Sequence, residues 1–189
     1  DLGYPLRGEV HDENAYALGG IVGHAGLFST AADLAVFAQM MLNNGMYNGT
    51  RIVADSTVRL FTARATKTRT LGWEIGDGQH GAGDYFGEHA YGHTGFTGTS
   101  LWIDPERDMF VVLLTNRVHA ARVRRPSLVI ADVRQDVADA AALAVLDEPF
   151  AVAMLPESFR ADRGENWNRP SRTTRVRRTT TGMSAAAKA

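Results

Sequence analysis

The chain has 189 residues, 44% of them hydrophobic and 22% charged, with a formal net charge of -1. That length and composition suit a folded domain with a real core, and near-neutrality leaves no global field to steer it to nucleic acid or an acidic surface. It has no cysteine, which excludes disulfides, a thiolate nucleophile and a cysteine-ligated zinc. No apolar run reaches the roughly 18 residues of a membrane span, and no export signal is visible. The chain opens on Asp1 rather than Met, so a signal could lie upstream, and the compartment stays open.

Residues 1–28 are polar and then glycine-rich, and Gly19, Gly20, Gly23 and Gly26 argue for a turning backbone rather than a regular helix. The clearest helix follows. Ser29 or Thr30 can cap it, Asp33 suits the dipole of its first turn, and Leu34, Phe37, Met41 and Leu42 make one apolar stripe. Asn43, Asn44 and Gly45 end it. A shorter helix is expected over Ser56–Thr62.

Leu71–Gly76 reads as a short strand and residues 77–90 as a loop. Three strands are then expected: Tyr91–Gly95, Thr99–Ile103 and Met109–Thr115. The last two form a hairpin through Asp104-Pro105-Glu106-Arg107-Asp108, whose proline is pre-set for a turn. Val129–Leu146 has helical spacing, with Ile130, Val133, Val137, Ala141 and Val145 on one stripe. Residues 1–156 are therefore expected to form the folded unit. Residues 157–189 are Arg- and Thr-rich with few large apolar groups, and read as a disordered tail. Its arginines could touch nucleic acid, but a solvated tail is the simpler reading.

Phe110, Val111, Val112, Leu113 and Leu114 do not alternate, so their strand should be covered on both faces. So long an apolar strand also makes a poor sheet edge. Thr99–Ile103 can take one side of it. The best upstream candidate for the other side is Leu71–Gly76, which is weak, so a neighbouring strand is expected to be missing.

The polar groups with chemical promise cluster at His93, Thr94, Thr97 and Thr99, with Gly95 and Gly98 between them. Glycines there let a substrate backbone approach closely. A strand-edge N–H can donate to a developing oxyanion, and a histidine can relay a proton near neutral pH. Taken alone, such a cluster is more often a structural hairpin. His11, Asp12, Glu13, His24, His80, His89, His93 and His119 follow no compact zinc spacing, and Gly19–Gly26 lacks the Lys-Ser/Thr of a phosphate loop. No metal or other cofactor is expected. None of the seven serines has a lysine three residues on or lies in a G-x-S-x-G elbow, so the chain offers no activated serine.

Gly23–Gly45 and Tyr91–His119, in that order, resemble the C-terminal half of the serine β-lactamase-like hydrolases, over roughly residues 8–146. That group includes class C β-lactamases, penicillin-binding proteins, D-aminopeptidases and related esterases. The resemblance implies an α+β fold, an antiparallel sheet flanked by helices, here without its N-terminal strands and nucleophile region. His93-Thr94-Gly95 would match the family's K-T-G or H-T-G box. His93 would stand in for the lysine, Thr94 would bond substrate, Phe96 would give an oxyanion-hole N–H, and Thr97 would line the substrate site. The family's S-x-x-K and Y-x-N boxes are not found. The resemblance therefore implies part of a hydrolase of esters, amides, lactams or peptides, inactive alone. The chain would be a fragment, a truncated product or a split subunit whose N-terminal partner chain supplies the nucleophile. The alternative is a non-catalytic module that binds a peptide or cell-wall fragment in the same groove.

Overall fold

A computed structural model of the protein describes residues 6–76, 82–119 and 127–145. Within them the fold is α+β, an antiparallel four-stranded sheet with a helix on each face. The Arg- and Thr-rich tail, His80 and Leu146 lie outside the described residues.

One turn of helix, α1 (Glu13–Ala17), opens the described chain. Asp12 caps it by accepting from the Ala15 N–H at 2.8 Å. The glycine-rich segment had promised no helix, and the aspartate cap supplies one. α2 (Ala31–Leu42) starts where expected, with Thr30 Oγ1 accepting from the Asp33 N–H at 3.1 Å. It ends through Asn44 and Gly45, both at positive φ, with the Gly45 N–H on the Met40 carbonyl at 2.8 Å.

The next two strands, β1 (Met46–Tyr47) and β2 (Thr50–Arg51), form a miniature hairpin. Asn48 and Gly49 both have positive φ, the backbone of the tight hairpin turn that Asn-Gly favours. α3 (Asp55–Thr62) agrees with the expected short helix to within a residue.

The main sheet runs β3 (Glu74–Ile75), β4 (Tyr91–Thr94), β5 (Ser100–Asp104) and β6 (Met109–Leu113), in that spatial order. Each expected strand is present; β3, β4 and β6 are shorter than expected, and β5 keeps its five residues one position later. Pairing puts His93 opposite Leu101 and Thr94 opposite Ser100. It also puts Trp102 opposite Val111. α4 (Ser127–Val145) completes the described chain.

Alternation along the strands divides the sheet's two faces. Tyr91, Ile103 and Phe110 pack with Ala38 and Met41 of α2 and Val58 of α3. Trp102, Met109 and Val111 pack with Ala138 and Ala142 of α4. The apolar run of β6 is thus covered on both sides, as its lack of alternation required. The Leu71–Gly76 strand does not serve β6; it pairs with β4 at the opposite edge of the sheet. Among the described residues no strand lies against the outer edge of β6.

The loop before β4 is better anchored than its glycines suggested. Ala82, Phe86 and Ala90 are buried against α4 and the sheet. The Gly87 N–H donates to Asp104 Oδ2 at 2.8 Å, and His89 meets Glu106 Oε1 with its backbone N–H at 2.9 Å and its Nδ1 at 2.6 Å.

Candidate active site

The candidate site grows from a mismatch in strand length. β3 pairs only with Tyr91 and Gly92 of β4. Gly72, at φ 96°, turns the chain away immediately before it. β4 runs on for two more residues, so among the described residues the edge of His93 and Thr94 on that side has no strand beside it. Five residues, Gly95–Thr99, then cross to β5.

His93 is exposed on the α2 face, and both ring nitrogens are engaged. Nδ1 lies 2.7 Å from the Thr94 carbonyl, which can only accept, so Nδ1 carries the proton. Nε2 lies 3.1 Å from Arg69 Nη1, which can only donate, so Nε2 accepts. The two bonds assign one neutral tautomer. Arg69 also bridges to Glu74 at 3.0 Å, so a Glu74–Arg69–His93 chain lines the edge. The fixed positive charge beside His93 is the Arg69 guanidinium.

The crossing loop is tightly closed. The Gly95 N–H donates to the Thr99 carbonyl at 2.7 Å, and the Gly98 N–H to the Gly95 carbonyl at 3.0 Å. Gly98 has φ 108°, and a Cβ there would strike Thr115 Oγ1 and come 3.2 Å from the Ile130 side chain. The loop carbonyls are taken by two arginines. Arg117 donates through its backbone N–H to Thr97 O and through Nε to Phe96 O, both at 2.8 Å. Arg134 of α4, only 8% exposed, donates to Gly98 O at 3.2 Å and to Gly95 O at 2.6 Å. Burial pulls the Arg134 pKa down from the usual arginine range; the nearby Arg117 adds to this and Glu74 opposes it.

Among the described residues, no protein acceptor meets the N–H of Phe96 or Thr97. The Phe96 ring is 71% exposed, with His11 stacked 6.0 Å away and the Arg117 guanidinium 4.9 Å from its centroid. So the structure brings His93, Thr94, Gly95, Phe96 and Thr97 together along one open edge and its loop. An open edge with free N–H groups can take an extended peptide or a developing negative charge. Sequence reasoning missed Arg69, Arg117 and Arg134. Each acts across 21 to 39 residues of chain, and nothing in local periodicity marks such a contact. Among the described residues no three acidic or histidine side chains converge to hold a metal ion.

A family model described as Beta-lactamase matches residues 2–135. The chain belongs to the beta-lactamase family. It is thereby a member of a serine-hydrolase family, related to the penicillin-binding proteins. Proteins from Salmonella paratyphi B, Salmonella newport and Salmonella heidelberg, each described as "Putative D-alanyl-D-alanine carboxypeptidase", are 47% identical to it over 122 residues. Those matches cover 61% of this chain and 28% of each relative. The chain therefore spans little more than a quarter of the length of these curated relatives.

Proposed function

We propose that this chain is one wall of an acyl-serine hydrolase site. The substrate peptide lies along the open His93–Thr94 edge of β4. The Phe96 N–H donates to the acyl oxygen as it becomes negative, with the Thr97 N–H beside it. Thr94 bonds substrate, and neutral His93 ties the strand end to Arg69. The observation that carries this reading is the Phe96 N–H, which meets no acceptor among the described residues and lies one residue beyond an H-T-G box on a strand edge unpaired among them. Removing one preorganised donor of this kind costs about 10²–10³ in kcat in acyl transfer. The nucleophile and its lysine come from outside this chain, since no S-x-x-K occurs in it. The relatives' description makes a peptide ending in D-alanyl-D-alanine the first substrate to test.

The test has two arms. The longer protein that carries this segment together with an S-x-x-K box should release D-alanine from such a peptide, or hydrolyse a chromogenic ester or lactam, with a serine-dependent burst. The 189-residue chain alone should give background rates. Turnover by the chain alone would overturn the reading. Tight peptide binding without turnover in the longer protein would favour a non-catalytic binding module on the same groove.

A further inference from the structure

The loop between β4 and β5 has an unusual hydrogen-bond inventory. Its four successive carbonyls, Gly95 to Gly98, are all held by donors from two arginines. Arg134 Nη2 reaches Gly95 O at 2.6 Å and Arg134 Nε reaches Gly98 O at 3.2 Å. Arg117 Nε reaches Phe96 O and its backbone N–H reaches Thr97 O, each at 2.8 Å. The N–H groups of Gly95 and Gly98 are used within the loop itself. What remains, among the described residues, are the N–H groups of Phe96 and Thr97. Buried arginines are costly and need a reason to be there. Surface packing would not need a cation that is only 8% exposed and forked across two carbonyls.

We propose that Arg134 and Arg117 are positioning residues for the acyl-oxygen site. Anchored by every carbonyl, the loop has a fixed backbone, and its two free N–H groups are held ready as donors. A loop with one carbonyl released can rotate a peptide plane and exchange a donor for an acceptor at the site. The two cations at the carbonyl side also make the loop electropositive, which suits an incoming oxyanion. This inference rests on the reading that the Phe96 N–H serves the acyl oxygen.

The test uses Arg134→Met, Arg134→Lys and Arg117→Gln in the longer protein. Backbone amide resonances of Phe96 and Thr97 are followed by NMR, and kcat and KM are measured separately. Outright loss of an oxyanion donor costs about 10²–10³ in kcat, so a displaced one should cost on the order of tenfold with little change in KM. Arg134→Met should do this and move or broaden both amide resonances. Arg134→Lys should recover part of kcat, because a single ammonium can hold one carbonyl but not the fork. If Arg134→Met does not fold, Arg117→Gln, whose arginine is only half-buried, should shift the same two amides. Unchanged amides and unchanged kcat in a folded variant would overturn the proposal. Wild-type protein with no hydrolysis would instead sink the functional reading, while the amide shifts would still test the anchoring.

Discussion

Asp104 ends β5 with a carboxylate that is 0% exposed, and removing it should destabilise the fold severely. Its Oδ2 accepts from the Gly87 N–H at 2.8 Å and from Arg107 Nη1 at 3.0 Å. Its Oδ1 accepts from the Glu106 N–H at 3.0 Å and the Arg107 N–H at 3.3 Å. One side chain thus closes the β5–β6 turn and pins the loop before β4 to the sheet. Asp104→Ala leaves the Gly87 N–H buried without an acceptor, which costs about 1–3 kcal/mol. It also leaves the Arg107 cation without its carboxylate, and breaking a buried pair costs about 3–5 kcal/mol. The Arg107 side chain is 25% exposed, so water recovers part of that loss. With that discount a total of about 3–6 kcal/mol follows, and with about 2–4 °C per kcal/mol at this size Tm should fall by ~6–24 °C. Asp104→Asn keeps one acceptor oxygen but sets an amide N–H against other donors, and should cost about 1–2 kcal/mol. Urea and thermal unfolding, followed by circular dichroism and tryptophan fluorescence, give both numbers. A loss for Asp104→Ala within about 0.5 kcal/mol, the range of an ordinary surface change, would refute the reasoning.

Gly98→Ala combines a φ of 108° with a clash at Thr115, so it should cost about 1–3 kcal/mol and disturb the site loop; unfolding curves and the Phe96 amide shift check it. Burial raises the Tyr91 pKa to about 12, from an ordinary value of 10.0. Its contribution to stability is then full below the unfolded pKa and lost as pH rises from there through the folded value. Phenolate absorbance should show one tyrosine ionising about two pH units late in the folded protein. Glu106 has its pKa lowered, first by the His89 side-chain hydrogen bond and next by the His89 backbone N–H. Its contribution is present above the unfolded carboxylate pKa and fades as pH falls through the lower folded value. His89→Ala should therefore move the Glu106 titration back up in carboxyl NMR. Arg69→Met removes the donor to Nε2 of His93, so ring ¹⁵N shifts should report the Nδ1–H tautomer in the native protein and a tautomer mixture in the variant.

Much of the architecture is written locally and could be read. The stripe of α2 and its Thr30 cap, the Asp104–Asp108 turn and the two-faced burial of β6 all follow from residue type and spacing. The open edge at His93-Thr94 was legible as chemistry but not as geometry, because it depends on β3 ending on that side at Glu74, opposite Gly92. That stop is set by the turn at Gly72, and no periodic pattern spans it. The β1–β2 hairpin had a signal in Asn48-Gly49, yet two-residue strands are too short to show alternation. The setting of His93 was not legible for a different reason. Its Nε2 is met by Arg69, 24 residues upstream, and a guanidinium that reaches across a fold leaves no mark near its partner. The same holds for Arg117 and Arg134, whose targets are backbone carbonyls of a glycine-flanked loop.

The most direct measurement is a crystal structure of the longer protein, with its S-x-x-K box, acylated by a β-lactam or a D-alanyl ester. The acyl carbonyl oxygen should lie about 2.7–3.1 Å from the Phe96 nitrogen, with the acyl chain running along the His93–Thr94 edge of β4. An acyl oxygen held elsewhere, with the Phe96 N–H facing solvent, would contradict the account.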